Sequence, residues 1–322
     1  MRGSSVNIFE AVTALRSFSV MRSFEKTLRR GWASLKKEAR RQIGDFVKSS
    51  QTAQGGFADR AGRPDIYYTL FGYLVSRALK IRIDRSALYA YIRAFSETSC
   101  VTGADALAQV VLARIVLNDK NRALQLYASY KNRAAGLPKI GEEYSVYLEL
   151  LALVSIGNFS ESRLLVRSFG SAQSAAIRQP TPLVAAGLII AHLRQHLPLA
   201  AENAKLNRKV CPEYAGRRSG IISDAHHGAD IEMLCGEIIA RLSENGGIRV
   251  SRNIEQADLL STAVGSYALN LCGFDLRLHA ADLLDYVISL YENGSFAVCE
   301  ADRRTDIEYL FYGLLALGAL SG

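Results

Sequence analysis

The stretch QGGFADRAGRPDIYYTLFGYL, Gln54 to Leu74, decides how this chain reads, because the chain states it three times. NGGIRVSRNIEQADLLSTAVGSYAL follows from Asn245 to Leu269, and NGSFAVCEADRRTDIEYLFYGLLAL from Asn293 to Leu317. Aligned on the glycine inside the apolar run, Asp65, Asp258 and Asp306 each stand seven residues before Gly72, Gly265 and Gly313. The unit is a G-[GS]-[FI] turn, a polar loop, and an Asp opening an apolar helix. Glycine suits the turn because it accepts positive φ and lets backbones pack closely. Asp suits the helix start, where its carboxylate accepts free N–H groups and meets the positive end of the dipole. Glycine seven residues on lies two turns later on the same face, so another element is expected to pack closely there.

Fainter helix starts lie between the copies at Asp105, Glu143 and Pro182, spaced 40, 38 and 39 residues from one to the next after Asp65. Each interval holds two helices and two loops, with amphipathic partners such as NRALQLYASYKN (121–132) and RLHAADLLDYVISLYE (277–292). No strand-like alternation competes. Paired helices at this period, one of each pair very apolar, predict an all-α repeat protein with a shared interior.

Composition bounds the rest. A chain of 322 residues can bury a large core, and PLVAAGLIIAHL (182–193) is too short to cross a bilayer. No secretory leader is evident, and five dispersed cysteines without a CxxC pair suit a cytoplasmic compartment. Residues 1–50 carry eleven Lys and Arg against four acids, a net +7 out of the chain's +8. Such an uneven balance argues against nucleic acid, which prefers a broad basic face. It points to docking of residues 1–50 on a membrane surface or an acidic protein partner. Trp32, Leu35, Ala39, Ile43 and Phe46 stand at helical spacing there, which an ordinary outer helix with a solvated far side would also show. Residues 1–28 read as a basic amphipathic segment ahead of one domain spanning 29–322.

With Gln51, Gly55, Gly56 and Phe57, QTAQGGFAD resembles the Gln-Gly-aromatic motif of prenyltransferase and squalene-cyclase repeats. RPDIYYTLFGYL and RTDIEYLFYGLLALG resemble the inner-helix starts of protein prenyltransferase β-subunits. The resemblance implies an α/α toroid of five to seven helix pairs, in which inner helices line an apolar funnel. An open helical-repeat solenoid is the alternative, since YLELLALVSIGNFSESRLLV also fits tetratricopeptide-like hairpins.

Catalysis does not follow from fold. The family's zinc ligands are an Asp, a Cys two residues later, and a His three residues after another repeat's Asp. Here the corresponding places hold Tyr67, Leu260 and Glu308, then Tyr68, Ser261 and Tyr309. Zinc-dependent thiol prenylation is therefore not expected, nor any other metal or cofactor. The cyclases' D-x-D-D, the complement G-C-G-E-Q and the tryptophans of sugar-processing toroids are missing too. Asp306 or Glu308 remains as an acid, with Asp65 and Tyr68 as further catalytic candidates; the plainer reading is a capping Asp306 and an exposed Glu308. SDAHHGADIEMLC (223–235) and the His192/His196 pair are weak metal candidates, better read as ordinary loop and helix residues.

The loops before the Asp helices carry Arg60, Arg63, Arg249, Arg252, Arg303 and Arg304. In a toroid they would converge with the helix N-termini into an anion site for an isoprenyl diphosphate. Tyr67, Tyr309 and Asp258 would complete it. The alternative is that these arginines pair with acids of their own loops. The expected function is isoprenoid or lipid handling, catalytic or not; a non-catalytic protein-interaction module is the alternative. An open apolar centre separates the first from the second.

Overall fold

The structure is a computed structural model that describes residues 23–98, 103–134, 142–158, 161–162, 165, 179–195 and 224–321. Expectations placed on residues 1–22, on His196, and on the side chains of Asp224, His226 and His227 lie outside them. The protein is all-α. In chain order its helices are α1 (23–34), α2 (Lys37–Ser49), α3 (Ile66–Leu79), α4 (Arg85–Thr98), α5 (Gly103–Ile115) and α6 (Lys120–Ala134). They continue as α7 (Glu142–Ile156), α8 (Thr181–Gln195), α9 (Asp224–Ile239), α10 (Leu259–Leu271), α11 (Ala280–Ser289) and α12 (Ile307–Leu320). The repeat loops add two antiparallel pairs of two-residue strands, β1 (Phe57–Ala58) with β2 (Pro64–Asp65) and β3 (Tyr291–Glu292) with β4 (Ser295–Phe296).

The helices divide by composition. Those opening at the predicted starts are apolar on most faces: every residue of α12 is buried except Glu308. A helix apolar all round must be covered on all sides. Accordingly α3 packs on α5, α5 on α7, α7 on α8, α8 on α10 and α10 on α12, and α12 comes back onto α3. The amphipathic helices lie against these: α2 on α3, α4 and α6 on α5, α9 on α8, α11 on α10 and α12. Of α2 only Ile43 and Val47 are buried, the stripe of a helix with one wet face.

The repeated motif builds the junctions. Asp65, Asp258 and Asp306 each accept the backbone N–H three residues on, at 2.9, 2.6 and 2.8 Å. Phe57 and Phe296 lie flat over Gly72 and Gly313, where any Cβ would drive into the ring, and Ile248 approaches Gly265 in the same way. The close packing expected at these glycines is therefore made by the turn's own aromatic or aliphatic residue. In the first two copies Thr69 and Thr262 donate to the capping Asp's carbonyl and accept the N–H of Phe57 and Ile248. The third copy has Leu310 instead, and Ser295, standing where the others have Gly56 and Gly247, donates to that carbonyl from the opposite side at 2.9 Å. The hydroxyl moved; the bond stayed.

The turn glycines Gly55, Gly246 and Gly294 all have positive φ and press on the backbone of a neighbouring helix. The first two meet α4 and α11, and Gly294 meets Gln42 of α2. Tyr291 also donates to Gln42 Oε1 at 2.8 Å, so the last copy is docked on the first outer helix. Gln51 of the Gln-Gly-aromatic motif donates to Gly55 O and Asp84 O, tying the first turn to the start of α4.

The boundary expected at 28/29 falls inside α1, whose Thr27 and Leu28 are 2% and 1% exposed. Phe24 stacks on Tyr267 with centroids 4.7 Å apart, and Arg29 donates to Ala78 O. Gly31 and Gly318 face each other where α1 crosses α12; a Cβ on Gly318 would enter the Thr27 carbonyl. Gly318→Val is expected to cost about 1–3 kcal/mol through overpacking, read as an earlier urea midpoint, with the slope unchanged. An unchanged midpoint would mean that α1 is not held there. Trp32, Leu35 and Phe46 also turn toward the core, so the apolar stripe read in residues 32–46 is spent inside the body.

Candidate functional site

Helices α3, α5, α7, α8, α10 and α12 line a cavity of about 880 Å³. Leu70, Val111, Leu151, Ile189, Val264 and Leu315, one from each of α3, α5, α7, α8, α10 and α12, show its lining, and Phe24 and Leu28 of α1 complete the wall. Sites for small apolar ligands typically occupy about 300–1,000 Å³. Polar groups enter at the two ends. Glu308 and Tyr67 stand in the first turns of α12 and α3; Arg77 and Arg114 stand in the last turns of α3 and α5.

Glu308 is not the exposed residue that the plainer sequence reading expects. It is half-buried, and its carboxyl lines the cavity. Burial, then the nearby Asp306 carboxylate, pushes it up to about 7. Tyr67 offers its hydroxyl to Glu308 Oε1 at a long 3.4 Å. Burial also raises Tyr68 and Tyr309 to about 12, so both phenols stay protonated donors. Asp306 has one oxygen on Tyr309 N and the other on Arg60 Nε at 2.8 Å. Asp65 and Asp258 act as helix caps, and burial raises the Asp258 carboxyl.

The loop arginines do not form a free cationic rim. Arg63 is held by Asp59 and Arg304 by Asp302, each within its own loop. Arg303 pairs with Glu292 at 3.1 Å. Arg249 donates to the carbonyls of Arg241 and Ala240, and Arg252 binds Glu237 at 2.5 Å. Arg60 alone crosses between repeats, bonding Asp306 and lying 5.2 Å above the Tyr309 ring. Burial works against its charge, but Asp306 outweighs that and holds its proton more tightly than usual. The structure thus brings together Arg60, Tyr67, Tyr68, Asp306, Glu308 and Tyr309. Arg249 and Arg252 belong to another cluster around buried Glu237 and Arg241.

Sequence reasoning missed three contributors to the cavity: α1, Arg77 and Arg114. The arginines carry no signal beyond a basic residue in a helix's last turn, and α1 lies ahead of the first repeat. Among the described residues no group of three His, Cys, Asp or Glu could hold a metal, and no helix is long and apolar enough to cross a membrane. Cys235 is buried, which pushes its thiol up to about 11.

Comparison with protein-family models, curated proteins and solved structures gives no match for this chain.

Proposed function

We propose that this chain is an α/α toroid resembling prenyltransferase β-subunits, and that it holds an isoprenoid or other lipid chain at its centre. The inner helices would be α3, α5, α7, α8, α10 and α12. The observation that carries the reading is the apolar cavity of about 880 Å³ on the shared face of those helices. A lipid handler needs an open apolar cavity of this kind, whereas a docking module does not. Three free cysteines among the described residues accord with a cytoplasmic setting.

The site supports holding better than transformation. Protonating an alkene needs a strong acid, whereas Glu308, raised to about 7, is a weak one. Asp306 commits one oxygen to its helix and the other to Arg60. A protonated Glu308 with Tyr67 beside it suits a hydrogen bond to a polar or unsaturated part of a bound chain.

Native mass spectrometry of the purified protein, alone and with farnesol, tests the proposal. A co-purified lipid or saturable farnesol binding is expected. Val264→Trp, which fills the cavity from α10, is expected to weaken that binding at least about tenfold while leaving the circular dichroism unchanged. Absence of binding to the wild type, or binding indifferent to Val264→Trp, would remove the cavity as the site.

A further inference from the structure

We infer that the bound chain carries an oxyanion head, and that Arg77 and Arg114, at the C-terminal ends of α3 and α5, receive it. This rests on the reading of the cavity as a lipid site and names the chemistry of its ligand. It also moves the anion site from the loops, where the repeats suggest it, to the opposite end of the same helices.

Arg77 and Arg114 both line the cavity, as does Asn118 just beyond α5. Tyr73 of α3 donates to Ile115 O, which holds these two helix ends side by side. Arg77 is matched by Glu25 of α1 at 3.5 Å, a pair with side chains 48% and 26% exposed. Arg114 donates to Asn118 Oδ1 at 2.6 Å and has no carboxylate partner among the described residues. Arg29 shares Glu25 at 2.5 Å and is anchored on Ala78 O. Two guanidinium groups, Arg29 and Arg77, therefore share one carboxylate, and a third, Arg114, lines the same apolar cavity held only by a neutral amide. Asn118 spends its carbonyl oxygen on Arg114, which leaves its amide N–H groups as donors.

A basic residue in a helix's last turn ordinarily offsets the dipole there. That role is served equally well by a side chain extended into solvent, whereas these two lie along the cavity wall. The long, half-exposed Glu25–Arg77 pair is of the weak kind that a better acceptor displaces. A carboxylate or phosphate entering with its chain in the cavity gains bidentate guanidinium contacts that a hydroxyl cannot make. At the other end Arg60 is already neutralised by Asp306, and Glu308 would repel an anion once ionised.

The test is calorimetric titration of the delipidated full chain with palmitate, hexadecanol, farnesyl monophosphate and farnesol. At least one anionic ligand is expected to bind about tenfold or more tighter than the alcohol of the same chain; which one does so identifies the head as carboxylate or phosphate. The double variant Arg77→Gln, Arg114→Gln is expected to lose that preference while still binding the alcohols. Glu25→Gln, which removes the competing carboxylate, is expected to strengthen it. Equal affinity for acid and alcohol in the wild type would overturn the inference yet leave the cavity reading standing. So would a preference that survives the double variant and vanishes in Arg60→Gln. Failure to bind any of the four would overturn both.

Discussion

Glu237→Ala is expected to destabilise the protein by about 3–5 kcal/mol, the usual cost of stranding a buried charge. Arg241 is fully buried, and its guanidinium gives Nε and Nη2 to Glu237 at 3.1 and 2.8 Å. Its Nη1 holds Gln179 O and Thr181 Oγ1, fixing the start of α8. Thr181 in turn bonds Val250 O and Arg249 O in the second repeat's loop. Without Glu237 the buried cation loses the carboxylate that takes its Nε and Nη2. Arg252, whose side chain is 45% exposed, is the contrasting control. Arg252→Gln is expected to cost at most about 1 kcal/mol, because water replaces much of what the pair supplied. Urea denaturation of both variants decides the matter, and similar small losses would show that Arg241 does not depend on Glu237. The sign with pH follows. Burial works to raise the Glu237 carboxyl, but the bonds from Arg252 and Arg241 hold it below its ordinary 4.5. The stability it supplies is present above that value and is lost as pH falls through the lower, folded one.

Glu308 is expected to do the opposite. Its folded value of about 7 lies above its ordinary 4.5, so the native state keeps a proton that the unfolded chain has released. Stability therefore falls as pH rises from about 4.5 to about 7 and stays lower above that. A rise from 4.5 to about 7 corresponds to about 3 kcal/mol. Glu308→Gln keeps the shape and removes the charge. Its melting temperature is expected to equal the wild type's at pH 5 and to exceed it by roughly 5 °C at pH 8. Parallel melting curves at both pH values would mean that Glu308 is hydrated like a surface carboxylate. An anionic ligand at the arginine end leaves this difference in place, because it contacts neither Glu308 nor Tyr67. A ligand held through Glu308 reduces it.

Much of the framework is legible in three short segments. The Asp-to-Gly interval of seven residues placed the caps of α3, α10 and α12 and the close contacts of Gly72 and Gly313. The 38- to 40-residue intervals placed α5, α7 and α8 at the positions where the chain turns helical. These are local properties, set by backbone conformation, capping and helical period, so sequence carries them directly. The exchange of Thr69 and Thr262 for Ser295 is harder to see, because the same carbonyl is satisfied from a residue fifteen positions away from the aligned one.

The site was legible only in part. Asp306 and Glu308 stand out as an acidic pair at a helix start, Tyr67 as a phenol beside the first capping Asp and Arg60 as a loop arginine, and they do meet. Whether six repeat-loop arginines form a cationic rim or cancel against acids depends on which side chains come within reach. Asp59 and Asp302 are neighbours in sequence and were weighed as partners; Glu237 is fifteen residues from Arg252 and was not.

By itself, then, the sequence determined an all-α chain of paired helices, the junctions between them, and the residues that cap them. Only the tertiary structure decided that the apolar faces leave a cavity of about 880 Å³ instead of filling it. Only it decided that α1 joins the wall through Gly31 and Gly318, and that Glu308 turns inward. The physical reason is common to all three. Helix formation depends on residues within a turn or two, whereas enclosed volume, close helix crossings and carboxyl desolvation depend on atoms that meet only after distant segments have packed.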